Sequence, residues 1–217
     1  MNIKIINTPF TREIACSLKC GETIQLTGTI YTARDAAHKR IAELIKKGEP
    51  LPFDIENAIV YYVGPTPPKP GQVIGSAGPT TSSRMDVFTP DMIALGLIGM
   101  IGKGARSPEV ITAMCKHGAV YFGAIGGAGA LLARCVESSE TIAFEDLGPE
   151  AIRKLKVKNM PLTVIIDSNG NDLYRLGREE YLGSVDHLRG NIFHSIFHVS
   201  NHESDYIAHK SSKVTSD

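Results

Sequence analysis

A chain of 217 residues has room for one domain, or for one domain with an appendage. Basic and acidic residues balance at 23 each, so the net charge of zero offers no bulk attraction to nucleic acid or to an anionic membrane. With 42% hydrophobic and 21% charged residues, the composition is that of an ordinary globular domain and excludes a disordered or fibrous chain.

The first segment, Met1 to Ile6, is too short and too mixed for a signal peptide. Ile3 to Ile6, followed by Pro9, reads as a strand. Residues 20–23 read as a turn, and Ile24 to Tyr31 as a β-branched, alternating strand. Ala36 to Lys47 reads as a helix, with Ala37, Ile41, Leu44 and Ile45 at helical spacing and Gly48 as its stop. Ala58 to Val63 is a compact strand. Gly64 to Gly71 holds four prolines and predicts an extended loop. Thr89 is placed to cap a helix over Pro90 to Leu97, and Ser107 to cap one from Pro108 to His117. Gly118 to Gly123 reads as a strand, Ala124 to Val136 as a tightly packed helix of small residues, and Leu162 to Asp167 as a strand ending in an Asn169-Gly170 turn. Strands and helices alternate, so the fold class is α/β. The longest apolar run, about Met92 to Ile101, falls short of the roughly 20 residues of a spanning helix. The expectation is a cytoplasmic protein with neither membrane nor nucleic-acid partners.

Composition changes after about Leu176. The expected division is a domain over residues 1–176 and an extension over 177–217, helical or partly disordered. The extension carries His187, His194, His198, His202 and His209. Three of these recur at four-residue spacing. They suit either a metal site on one helical face or a solvated helix whose Phe193 and Phe197 cover a partner surface. Cys16, Cys20, Cys115 and Cys135 are too few and too scattered for a disulfide scaffold, a zinc site or an iron–sulfur set, so no metal is assigned to this chain.

Three cation-bearing loops interrupt the apolar segments. They are Thr32 to Arg40, Gly78 to Asp86, and Gly102 to Ser107 with Lys103 and Arg106. Such loops suit one site for a substrate with more than one carboxylate, because a guanidinium fork matches a carboxylate bidentately. The plain alternatives are a surface pair of Arg34 with Asp35 or Glu43, a pair of Arg84 with Asp86, and a turn lysine at Lys103. Thr80 and Thr81 add two adjacent hydroxyls. An unperturbed alcohol is a poor base, and no activating neighbour stands beside them, so proton chemistry at Thr80 requires a contribution from elsewhere.

The strings GPTTSSRMD, TGTIYTARDAAHKR, GPTPPKPGQVIGSAGPTT and GAVYFGAIGGAGALLARCV resemble the C-terminal region of the class I iron–sulfur hydro-lyases. That family includes class I fumarate hydratases and L(+)-tartrate dehydratases. In its two-subunit members this region is a separate β chain of about this length. The resemblance runs from roughly Ile3 to Tyr174. It implies a swivelling three-layer β/β/α domain and the activity of a hydro-lyase β subunit. It also implies an α-subunit partner, assembly as a dimer of α–β units, and a 4Fe–4S cluster held by the α region.

By the same resemblance Thr80 corresponds to the catalytic base, acting with an aspartate of the partner region. Thr81 corresponds to a substrate-binding hydroxyl, and Arg34 and Arg84 to the arginines that grip substrate carboxylates. Lys103 corresponds to the lysine of the family's Lys-Gly-Asn segment, where this chain has Lys103-Gly104-Ala105. The implied reaction is the reversible hydration of fumarate to (S)-malate. L(+)-tartrate dehydration to oxaloacetate stands as the alternative within the class, and a non-catalytic carboxylate- or phosphate-binding domain as the alternative outside it.

Overall fold

Alternation of apolar side chains lays down the main strand. In the computed structural model, which describes residues 3–182, β2 (Thr23–Thr32) buries Ile24, Leu26, Ile30 and Thr32 and leaves the residues between them partly exposed. Around it, β1 (Lys4–Asn7), β3 (Ile59–Tyr61), β4 (Gly99–Gly102) and β5 (Val120–Gly123) run parallel in the order β1-β2-β3-β4-β5. The long β7 (Ile152–Ile166) runs antiparallel to β2, to β5 and to β6 (Val136–Ala143). Because β7 pairs with both β2 and β5, the pairings β2-β3-β4-β5-β7 return to their start as a closed ring.

The period of two sorts neighbouring residues onto opposite faces of this ring. Tyr61 joins one core with Phe10, Leu26, Ile30, Phe122, Leu155 and Met160, which is strand packed on strand. Val60 and Tyr62 join the other core with Met100 and Tyr121, which meet helices α2 (Asp35–Lys47), α3 (Thr89–Ala94) and α4 (Pro108–His117) through Ile41, Met92, Val110 and Met114. The result is three layers, strand on strand on helix. A fully buried aliphatic such as Ile41 contributes about 1.5–3 kcal/mol to holding its helix on the sheet.

The helix ends follow their sequence signals. Ser107 Oγ accepts from Val110 N, Pro108 sits in the first turn of α4, and Gly118 closes it in the left-handed conformation. Gly48 closes α2 in the same way. A short α1 (Arg12–Ser17), absent from the sequence expectations, is capped by Thr11.

Two helix expectations are corrected. Thr89 is the first residue of α3 rather than its cap; a 3-10 turn over Ser82–Met85 lies just upstream, and the Thr89 hydroxyl donates back to Met85 O. Of the segment Ala124 to Val136, only α5 (Gly129–Arg134) is helical. Gly127 takes a positive φ ahead of it, and Val136 already belongs to β6.

The chain divides after Leu173, and the described residues up to that point make one compact unit. Residues 173–182 are helical, with an Arg175–Glu179 ion pair one turn apart. The histidines expected on the extension, from His187 onward, lie outside the described residues. No helix among the described residues is long and apolar enough to cross a membrane.

Candidate functional site

Three adjacent parallel strands deliver the three loops to one edge of the sheet. β2 ends at Thr32 and leads to Arg34, β3 ends at Tyr61 and leads by way of Gly64 to Thr80, and β4 ends at Gly102 and leads to Lys103. The outer side of the carboxyl ends of parallel strands is where α/β sheets place their ligands. Backbone bonds then stitch the loops together. Ala33 N donates to Tyr61 O at 3.2 Å, Tyr62 N to Ile101 O at 2.8 Å, Thr80 N to Tyr62 O at 2.7 Å, and Ser82 N to Lys103 O at 2.9 Å. Thr81 and Lys103 form an isolated parallel bridge. The five residues singled out in the sequence therefore share one neighbourhood.

Arg34 and Arg84 meet on one carboxylate. Asp35 Oδ1 lies 2.8 Å from Arg84 Nε, and its Oδ2 lies 3.5 Å from Arg34 Nη2. Glu150 approaches Arg34 from another element: its Oε1 is 3.5 Å from Arg34 Nη2, while its Oε2 accepts from Ala36 N at 2.8 Å. Glu150 thus satisfies a first-turn amide of α2 that Arg34, at the cap position, leaves without a side-chain bond. Gly64 makes room for the guanidinium, since a Cβ there would stand 2.8 Å from Arg34 Nη1. Arg84 is 52% exposed and Arg34 22%. Thr81 and Lys103 are exposed, and Thr80 is half-buried. Among the described residues none hydrogen-bonds the hydroxyl of Thr80 or Thr81.

Beneath this surface a buried polar layer sets the loop positions. Tyr121 hydroxyl donates to Gly104 O at 2.9 Å and lies 2.9 Å from Ser82 Oγ, so it ties the 3-10 turn to the Lys103 loop. Gly102 permits that approach: a Cβ there would stand 1.9 Å from Ser82 Oγ. Arg106 belongs to this layer and not to the surface site, which corrects its grouping with the exposed cations. Its side chain is fully buried, with Nε on Asp86 at 2.7 Å and Nη2 on Thr89 Oγ1 at 2.9 Å. Its guanidinium also lies over the rings of Tyr62 and Tyr121. Asp86 is therefore the partner of Arg106 and not of Arg84, and Asp86 Oδ2 also accepts from Ser107 N. His38, fully buried on α2, directs Nδ1 to Arg34 O at 2.9 Å and stands edge-on to Tyr62. Burial pushes its imidazole down to about 4, so the ring is neutral and Nδ1 is the donor.

Glu150, His38, Ser82, Tyr121 and the Arg106–Asp86 pair were not assigned roles from sequence. Asp35 is adjacent to Arg34 and was legible as its partner; its second partner, Arg84, was not. Glu150 has no local signal at all.

The cysteines do not fit a metal cluster. Cys16 and Cys115 are exposed, while Cys20 donates to Ile165 O and Cys135 to Leu131 O. Burial, with Asp167 adding at Cys20, pushes the thiols of Cys20 and Cys135 up, away from the thiolate form a ligand needs. Among the described residues no three His, Cys, Asp or Glu side chains converge as a metal site. A cavity of about 500 Å³, lined by Thr66, Gln72, Ser76 and Arg134 among others, includes none of the five site residues.

The model of the fumarase C-terminus family matches residues 1–177. This chain belongs to that family. It is 39% identical over 186 residues to a Methanocaldococcus jannaschii protein named "Putative L(+)-tartrate dehydratase subunit beta", covering 83% of this chain and 95% of that relative. It is 40% identical over 157 residues to fumarate hydratase 2 of Leishmania major, and 41% identical over 155 residues to the anaerobic class I fumarate hydratase of Escherichia coli. These matches cover 71% and 70% of this chain but only 28% of each hydratase, so the family domain here corresponds to about a quarter of those longer proteins.

Proposed function

We propose that the chain is the β subunit of a two-chain fumarate hydratase, which interconverts fumarate and (S)-malate with an α-type partner, as a dimer of α–β units in the cytoplasm. The observation that carries this reading is the convergence of Arg34 and Arg84 on Asp35, beside Thr80, Thr81 and Lys103, at the carboxyl ends of β2, β3 and β4. Three cations against the two carboxylates of Asp35 and Glu150 leave this edge net positive, which suits an anionic ligand. The exposure of Arg84, Thr81 and Lys103 suits a site that a second chain covers.

In the dehydration direction a proton leaves the carbon beside one carboxylate, and hydroxide leaves the neighbouring carbon. Arg34 and Arg84 hold the carboxylates, and the same donors stabilise the negative charge that builds as the proton departs. Lys103 adds a third cation, and the Thr81 hydroxyl orients the substrate. Thr80 Oγ1 takes the proton. An alcohol does this only when its own proton has a receiver, so a carboxylate of the partner chain completes the base. The 4Fe–4S cluster implied by the resemblance is assigned to that partner, because the cysteines here do not suit it.

L(+)-tartrate is the second reading, favoured by one observation: the M. jannaschii relative, matched over 95% of its length, carries that name. Assays of the co-expressed α–β complex on malate and on tartrate separate the two, and inactivity on both leaves the non-catalytic binding domain. Thr80→Val tests the mechanism. It keeps the shape at Cβ and the backbone bond to Tyr62 O, and it is expected to slow exchange of the carbon-bound proton of malate with deuterium about 10²–10⁴-fold. Exchange at the normal rate removes Thr80 as the base.

A further inference from the structure

Asp35 touches both arginines, and the way it does so leaves the terminal donors of Arg84 without a described hydrogen bond. It meets Arg84 at Nε and Arg34 at Nη2, while no described residue hydrogen-bonds Arg84 Nη1 or Nη2, or Arg34 Nη1. Arg34 Nε is buried without a partner. The rotation of the Arg34 fork is therefore set through Nη2, which Asp35 and Glu150 both approach at 3.5 Å. Glu150 is itself anchored to the Ala36 amide, and Asp35 is the first residue of α2, where the helix dipole favours a negative charge.

We propose that Asp35, braced by Glu150, is a positioning residue that holds Arg34 and Arg84 in a fixed mutual orientation for a dicarboxylate. This rests on the reading of the arginines as substrate-gripping groups. Two guanidinium groups repel, and each long side chain gives up rotamer freedom when it binds. A shared carboxylate removes both penalties before the substrate arrives, which is preorganisation. The opposite role, a carboxylate that occupies the forks and competes with substrate, fits Arg84 less well, because the closest contact there falls on Nε and leaves Nη1 and Nη2 without a described hydrogen bond.

The test is Asp35→Asn and Asp35→Glu in the full α–β complex, with KM and kcat on malate, inhibition by succinate as a non-reacting dicarboxylate, and urea unfolding. For Asp35→Asn, KM and the succinate inhibition constant should rise together by about 10-fold, with kcat within about threefold of wild type. Asp35→Glu should recover part of the loss. Should Asp35→Asn fail to fold, a parallel rise of KM and the succinate constant in Asp35→Glu carries the same test. An unchanged KM with lowered unfolding stability would make the residue merely structural, and a lowered KM would make it a competitor; either overturns the proposal. Wild-type complex that neither turns over malate nor binds succinate would overturn the functional reading itself.

Discussion

Arg106–Asp86 and Arg84–Asp35 are both arginine–aspartate pairs at the 3-10 turn Ser82–Met85, with closest approaches of 2.7 and 2.8 Å. Arg106 is enclosed, with Asp86, Thr89 and two tyrosine rings taking its donors and faces. Arg84 lies half in water and shares its aspartate with Arg34. The first pair spends its hydrogen-bonding capacity inside the protein, and the second retains donors for a ligand. Proximity in sequence and identity of residue type do not separate them. Burial and the number of satisfied donors do.

Arg106→Ala should break the comparison most sharply. It leaves Asp86 in the interior without its counter-ion, and loss of one partner from such a pair costs about 3–5 kcal/mol. Urea unfolding of the chain should show that loss. A change below about 1 kcal/mol would place Arg106 with the surface cations after all.

His38 sharpens it through pH, because this ring contacts the buried layer at Tyr62 and the surface layer at Arg34 O. Its folded pKa, about 4, lies below the ordinary 6.5, chiefly through burial and with Arg106 also disfavouring the charged form. The neutral ring is thus the one the fold holds. Stability from this group is complete above pH 6.5 and is lost as pH falls from 6.5 to 4, by about 3 kcal/mol in all. Unfolding measured across that range should show the slope, and His38→Asn, whose amide can still reach Arg34 O, should lose it. The slope persisting in the variant would assign it elsewhere.

Arg84→Ala should have the smallest effect on the fold, under about 1 kcal/mol in urea unfolding, because its side chain is half exposed, and Arg34→Ala, whose side chain is 22% exposed, a somewhat larger one that still falls short of Arg106→Ala. Their effect belongs to the ligand: kcat/KM on malate should fall roughly 10- to 150-fold, the worth of a charged hydrogen bond of about 1.5–3 kcal/mol. Arg84→Lys should recover little, since an ammonium lacks the fork. Near-normal turnover with lowered stability would reverse the contrast.

Much of the helical layer was legible. Ser107-Pro108 at one end and Gly118 at the other bound α4 as their chemistry requires, and Gly48 ends α2. The closing strands were not. β6 is polar along most of its length, and the first half of β7, where buried Leu155 and Val157 alternate with Lys154, Lys156 and Lys158, carries a period-two pattern that the strand expectations did not include. The site residues were legible as donor-rich loops suited to one site, and the separate roles expected of them came only from the family motifs. Glu150 was invisible because its partner amide at Ala36 is 114 residues away, and no local pattern encodes such a pairing.

The ring also fixes an order of events at the ribosome. β2 emerges early, yet its partner along most of one side is β7, with Thr23 opposite Thr163 and Thr32 opposite Arg153. Until the last of these residues has left the exit tunnel, β2 and β5 each present an unpaired edge, and such edges template association between chains. Native pairing of this kind closes long loops and is slow. Nascent chains that have not yet exposed β7 are therefore the aggregation-prone species, and the time they persist is set by how quickly translation delivers that strand.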